Sequence, residues 1–250
     1  MRSNRRTAAR QYQTVTNLSA KALPAAARCC GLPGDALARV AAEARACRVC
    51  EAHLPLGPRP VFRASPTARL LIVGQAPGTK VHETGIPWND PSGDRLRGWL
   101  QMDKDAFYDE SRIAIVPMGL CYPGRLPQGG DAPPRRECAP LWRERLVAAM
   151  PEIRLTLLVG TYAQVHALGP GAMTGRVRAF RDHLPRFFPL PHPSWRTGAW
   201  ERKHAWFGTE VLPALRAAVQ EALREPAYPA VGRRKSTGLT RAGSQESPEQ

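Results

Sequence analysis

Residues 69–93 read RLLIVGQAPGTKVHETGIPWNDPSG. The opening block, Arg69–Gly74 (RLLIVG), is apolar but too short for a helix. It ends in glycine, as a strand buried on both faces does, so it reads as a parallel strand. Pro91 and Ser92 are helix-start residues, and an apolar helical pattern follows from Pro91 to Met102. Between strand and helix lie Gly74-Gln75-Ala76-Pro77-Gly78, then a His, a Glu, a Trp, an Asn and an Asp. Chains in open α/β sheets gather such groups beyond the carboxyl end of a strand, where ligands bind.

Working outward, three more short apolar runs repeat the pattern: Arg112–Pro117 (RIAIVP), Leu155–Gly160 (LTLLVG) and Phe187–Leu190 (FFPL). Helical periodicity precedes the first strand (Ala36–Ala46) and the third (Ala139–Met150). It also follows the third strand (Thr161–Leu168) and closes the chain's folded part (Glu201–Arg224). This alternation predicts an α/β fold, a three-layer α/β/α domain around a four-stranded, mostly parallel central sheet. Three polar segments fall at strand ends: GQAPG, MGLCYPG and PHPSWR. The expected organisation is a basic tail over residues 1–34, a domain over 35–226 and a polar, Gly/Ser-rich tail over 227–250, both tails being too poor in apolar residues to pack.

The 250 residues are 43% hydrophobic, enough for a real core, and carry a net charge of +15 with an isoelectric point near 10.4. That excess points to a polyanion, nucleic acid before anionic membrane. Residues 1–34 hold six basic residues and no acid, but arginine is dense through the middle of the chain as well. No apolar stretch reaches the roughly 18 residues that would suggest a membrane span, and no apolar leader opens the sequence. A cytoplasmic protein that associates with the nucleoid when bound to DNA, working as a monomer and away from membranes, is the expectation.

Of six cysteines, Cys29 and Cys30 sit in the basic tail. Cys47 and Cys50 form a CxxC pair, and Cys121 and Cys138 bracket a segment rich in Pro and Gly. Without a leader, a disulfide framework is a poor reading. Four thiolates can hold zinc or a [4Fe–4S] cluster, and the wide second gap suits a looped cluster site better than a compact zinc knuckle.

Taken in order, Cys47/Cys50, GQAPG (74–78), TGIPWNDPSGD (84–94), Cys121/Cys138 and HPS (192–194) resemble the uracil-DNA glycosylase superfamily, particularly its iron–sulfur members, families 4 and 5. The resemblance covers roughly residues 45–220. It implies a four-stranded α/β/α fold, a [4Fe–4S] cluster on Cys47, Cys50, Cys121 and Cys138, and flipping of a uracil nucleotide from DNA. Hydrolysis of its N-glycosidic bond would follow, with free uracil as product and an abasic site left behind.

Breaking that bond builds positive charge on deoxyribose and negative charge on the leaving base, so a donor is needed at uracil O2 and an acceptor near C1′ to orient water. The resemblance assigns the donor to His192. Family 4 carries Glu where this chain has Gln75. The acid-bearing segment of family 5 resembles Asn89–Asp94, which assigns the water-orienting group to Asp90, with Glu83 and His82 as alternatives. Asp90 also stands where a helix N-cap belongs, and the two roles are compatible. Trp88 replaces the Phe on which relatives stack the base. The backbone of Gly74, Gln75, Ala76, Pro77 and Gly78 is expected to approach base or sugar closely, with Met118 beside it. Relatives select uracil with an Asn at the position of Pro117. Here either Asn89 or backbone groups of residues 117–119 must serve, and a broadened base range is one consequence. Ser194, Trp195, Arg196 and Lys203 combine an aromatic wedge with phosphate-binding groups. Relatives that link covalently to the abasic sugar use a His between the third and fourth cysteines; this segment has none, so ordinary turnover is expected.

Two other classes stay open on the sequence: a catalytically silent iron–sulfur DNA-binding module, and a nucleotide-processing enzyme with a zinc knuckle.

Overall fold

The computed structural model describes residues 33–225; the expected C-terminal tail, residues 1–32 of the N-terminal one, and Cys29 and Cys30 lie outside the described residues, while Pro33 and Gly34 open a helix. Four strands form one sheet: β1 (Leu70–Val73), β2 (Ile113–Ile115), β3 (Leu155–Val159) and β4 (Phe187–Leu190). Their order is β2-β1-β3-β4. All three pairings are parallel, with Leu70 opposite both Ile113 and Leu155, and Thr156 opposite Phe187. The one antiparallel addition is a bridge from Arg63 to Ile115, which covers the outer edge of β2.

The strands are buried on both faces because alternate residues feed two cores. Leu70, Ile72, Ile115 and Leu157 point into one, together with Leu96, Trp99 and Leu100 of α3 (Pro91–Leu100) and Leu215 and Val219 of α9 (Leu212–Leu223). Leu71, Val73, Ala114 and Leu158 point into the other. They meet Leu37, Ala41 and Ala44 of α1 (Pro33–Arg45), Leu146 of α5 (Glu144–Ala148) and Ala163 of α6 (Thr161–Leu168). Each fully buried Leu or Ile is worth about 1.5–3 kcal/mol, and the two-sided demand explains why the strand segments lack polar alternation. The expected three layers are therefore present. Short helices not anticipated from periodicity fill the connections: α2 (Thr79–Thr84), α4 (Lys104–Phe107) and α7 (Met173–Arg178).

One expected element differs. The helix anticipated over Glu201–Arg224 is two helices, α8 (Thr197–Lys203) and α9, broken at His204 and joined through a wide turn over Phe207–Val211. Pro213 sits in the first turn of α9, so its missing N–H falls at the junction with the wide turn and not at the break. Trp200, His204, Trp206 and Phe207 pack around the break, with ring centroids 4.8–5.6 Å apart.

From β1 the chain crosses to β2 on one side, and from β3 to β4 on the other. The reversal leaves a crevice at the carboxyl ends of β1 and β3, the expected place for a ligand.

Candidate active site

A pocket of about 540 Å3, its open mouth included, occupies that crevice. Gly74–Gly78 form its floor, and Trp88, Asp90, Pro117, Asp131 and His192 are among its walls.

Trp88 is the flat wall. Its indole lies so close over Gly74 that a Cβ there would stand 2.8 Å from Cζ2. The imidazole of His192 is 5.9 Å away, centroid to centroid. The Trp88 backbone is left-handed, φ 57°, a conformation that costs a bulky residue on the order of 1–3 kcal/mol and persists only where the surroundings enforce it. Gly93 packs against its carbonyl so closely that a Cβ would fall 1.7 Å from the oxygen. Arg97, buried in α3, donates to the same oxygen at 3.2 Å and pairs with Asp94 at 2.6 Å. The Tyr108 hydroxyl donates to the Pro87 carbonyl at 2.9 Å.

Asp90 is the N-cap of α3. Its Oδ1 accepts the Gly93 N–H at 2.8 Å, with Pro91 opening the helix. Its Oδ2 faces inward, 3.9 Å from where a Cβ of Gly78 would stand. The cap and the pocket thus use different oxygens of one carboxylate.

His192 follows β4. Its carbonyl accepts from the Ser194 N–H at 2.8 Å and from the Thr197 hydroxyl. Its ring abuts Gly160, whose φ of 87° is a conformation that residues with a side chain rarely adopt. Burial pushes its pKa below the usual histidine value, while Asp90 and Asp131 pull it back up. An imidazole neutral at physiological pH results.

The expected site residues are brought together unequally. Gly74–Gly78, Trp88, Asp90 and His192 converge on the pocket, whereas Asn89, Met118, His82 and Glu83 are not among its lining. The segment after β2 offers no donor either: Pro117 has no N–H, and those of Met118 and Gly119 donate to the Gly74 and Gln75 carbonyls at 3.0 and 2.9 Å. Neither Asn89 nor a backbone N–H of residues 117–119 is therefore in place to read the uracil edge. Gln75 does not point its amide at the pocket centre; Nε2 donates to the Ala132 carbonyl at 3.0 Å.

Asp131 was not anticipated. It lies on a hairpin of the Cys121–Cys138 segment and places Oδ2 3.6 Å from the same Gly78 position that Asp90 approaches. The one sequence signal was Gly129-Gly130 immediately before it, a turn dipeptide that fixes a side chain in space.

At the mouth, Trp195 is 79% exposed, and Arg196 stacks on its ring at 5.1 Å. Lys203 ends α8, exposed, and Ser194 is half-buried. Arg196 also reaches toward Gly130 of the hairpin, so the two loops adjoin.

A second, smaller cleft is lined by all four of Cys47, Cys50, Cys121 and Cys138, none of them in a disulfide. Burial pushes the Cys138 thiol up to about 12 and Cys121 up to about 11. The Leu120 N–H donates to Cys138 Sγ at 3.2 Å. Two further lining residues, Arg135 and Trp142, each carry a buried N–H, Nε and Nε1, without a partner. Among the described residues no three His, Cys, Asp or Glu side chains are gathered as a bare ion requires.

A model of the uracil DNA glycosylase superfamily matches residues 62–216, from just before β1 into α9. The chain belongs to the uracil DNA glycosylase superfamily. The matched span takes in the pocket lining except Val61, together with Cys121 and Cys138, and leaves Cys47 and Cys50 ahead of it. Among solved structures, the chain is similar to that of a candidate uracil DNA glycosylase from Methanosarcina acetivorans determined by solution NMR. Identity is 16%, covering 63% of this chain and 97% of that one, with a TM-score of 0.37. Membership places this superfamily chain among the DNA glycosylases, hydrolases of DNA repair. Among the described residues, no helix is long and apolar enough to cross a membrane.

Proposed function

We propose that the protein is a monofunctional glycosylase that takes a uracil nucleotide flipped from DNA and hydrolyses its N-glycosidic bond. The observation that carries this is the grouping of a neutral His192, the inward Oδ2 of Asp90 and the Trp88 indole around one pocket at the end of β1. The flipped base stacks on Trp88. His192 donates to O2, stabilising the departing anion without having to give up its proton first. Asp90 faces the sugar, where its charge offsets the cation that develops at C1′ and helps orient water. Trp195 wedges the duplex while Arg196, Lys203 and Ser194 hold phosphates.

The engagement of the Gln75 amide by the Ala132 carbonyl, and the spent N–H groups of Met118 and Gly119, favour a base range wider than uracil. With those donors spent, hypoxanthine and xanthine are candidate substrates beside uracil.

The four cysteines fit a [4Fe–4S] cluster. They line one cleft, and the unpartnered N–H groups of Arg135 and Trp142 are suited to sulfide or thiolate acceptors. Bound there, such a cluster would supply a structural crosslink between the segment before β1 and the long segment after β2 rather than redox chemistry.

Excision is tested with single- and double-stranded oligonucleotides carrying U, hypoxanthine or xanthine. Release of free base with an abasic product is the expected result. Binding without release from any of them would mean a silent DNA-binding module instead.

A further inference from the structure

The carboxylate of Asp131 sits in the pocket with no task in the scheme above. Its position is firmly set. The Leu126 N–H donates to the Gly130 carbonyl at 2.9 Å, the Gly129 N–H to Leu126 at 2.9 Å, and the Ala132 N–H to Gly124 at 2.8 Å. Gly129 and Gly130 both take φ 88°, which makes the turn too tight for other residues. Gln75 at the end of β1 ties the hairpin down through its bond to Ala132, the next residue. The element therefore reaches across the sheet end and delivers one acid into the site.

That acid meets a second. The Oδ2 atoms of Asp131 and Asp90 both lie within 4 Å of the point where Gly78 would carry a Cβ, at 3.6 and 3.9 Å. Glycine keeps that space open between them, and His192 responds electrostatically to both. The two carboxylates are not equivalent. Asp90 already accepts a helix N–H on its other oxygen, which fixes the orientation of its carboxylate. Among the described residues, no hydrogen-bond donor acts on the Asp131 carboxylate, only the charges of Arg125, His192 and Asp90. Burial, the largest influence, pushes its pKa above the usual carboxylate range. Arg125 and His192 pull it down, and Asp90 raises it further. A carboxylate in the pocket with no donor spent on it is placed to take a proton from water, as a general base should.

Resting on the glycosylase reading, we propose that Asp131 is the catalytic base, and that Asp90 is its electrostatic partner. Water held between the two Oδ2 atoms adds through its oxygen to C1′. The C1′–N1 bond breaks, and its electron pair leaves with the base, whose O2 accepts the His192 N–H. The water proton passes to Asp131, and the released base takes up a proton from solvent.

The test uses the full chain and Asp131→Asn, Asp131→Glu, Asp90→Asn and Arg125→Ala. It combines single-turnover excision across pH with affinity for two abasic-analogue duplexes, one bearing a cationic pyrrolidine and one a neutral tetrahydrofuran. Asp131→Asn is expected to slow excision by about 10²–10⁴-fold while the melting temperature and tetrahydrofuran affinity hold. The wild-type rate should fall as acid protonates Asp131, and this limb should be absent in Asp131→Asn. Preference for the pyrrolidine duplex should shrink in the same variant, and Asp131→Glu, which keeps the charge, should restore part of both. Excision by Asp131→Asn within about threefold of wild type would overturn the proposal. So would an equal loss in Arg125→Ala with the same pH profile, since the acid would then only anchor its hairpin. If wild type releases no base at all, the glycosylase reading has failed. The duplexes still decide the placement of Asp131: a pyrrolidine preference abolished by Asp131→Asn supports it at the sugar, and no wild-type preference overturns it.

Discussion

An aspartate that caps a helix has one carboxylate oxygen to spare, and Asp90 spends it on the pocket. Asparagine caps helices about as well as aspartate does, so Asp90→Asn separates the two roles. The expected result is an unchanged melting temperature with single-turnover excision reduced by at least about 10²-fold; near-wild-type excision would leave Asp90 as a cap alone. For His192 the distinguishing variable is pH. Burial places its pKa below the ordinary 6.5, so the ring is neutral above that value and donates as an uncharged group. His192→Ala should cost about 10²–10³-fold in rate, roughly 3–4 kcal/mol of transition-state stabilisation. The wild-type to variant ratio should stay constant from about pH 7 to about pH 9. If imidazolium were the active form, that ratio would collapse toward one as pH rises.

Between residue and fold stand the turns that hold these groups. Gly93→Ala places a methyl 1.7 Å from the Trp88 carbonyl, so the left-handed turn must open. A loss of about 1–3 kcal/mol is expected, which for a domain of this size is roughly 2–4 °C of melting temperature per kcal/mol. Excision should fall along with it because the indole leaves its position. The cysteine segments make a second element-scale case. The purified protein should contain iron and acid-labile sulfide in [4Fe–4S] proportion, and Cys138→Ser should lose both and unfold at lower temperature; stoichiometric zinc would replace the cluster reading. The strands were legible because four short runs, buried on two faces, admit no polar alternation. Asp90 and His192 were legible through motifs at strand ends. Asp131 was not, since its place in the pocket depends on a hairpin fastened by Gln75 to another element, a long-range bond that no local pattern reports. The Trp88 backbone was hidden for the same reason, its conformation being imposed by Gly93 and Arg97.

At the scale of the whole molecule, charge and shape divide the work of holding DNA. Of the net +15, residues 33–225 carry +7, and the remainder belongs to the flanking segments. Every phosphate neutralised by Lys or Arg releases counterions, so log K for duplex DNA should fall by roughly 0.9 per contact for each log unit of salt. Arg196 and Lys203, both exposed, are expected to be two such contacts. Arg196→Ala and Lys203→Ala should each weaken binding to any sequence alike and flatten the salt slope by about 0.9. Trp195 is exposed and uncharged, and as a wedge it acts on base stacking rather than phosphates. Trp195→Ala should therefore leave the slope unchanged while slowing excision from double-stranded DNA far more than from single strands, where no partner stack has to be broken. A salt slope altered by Trp195→Ala, or untouched by both cationic variants, would move the DNA-binding face away from this loop.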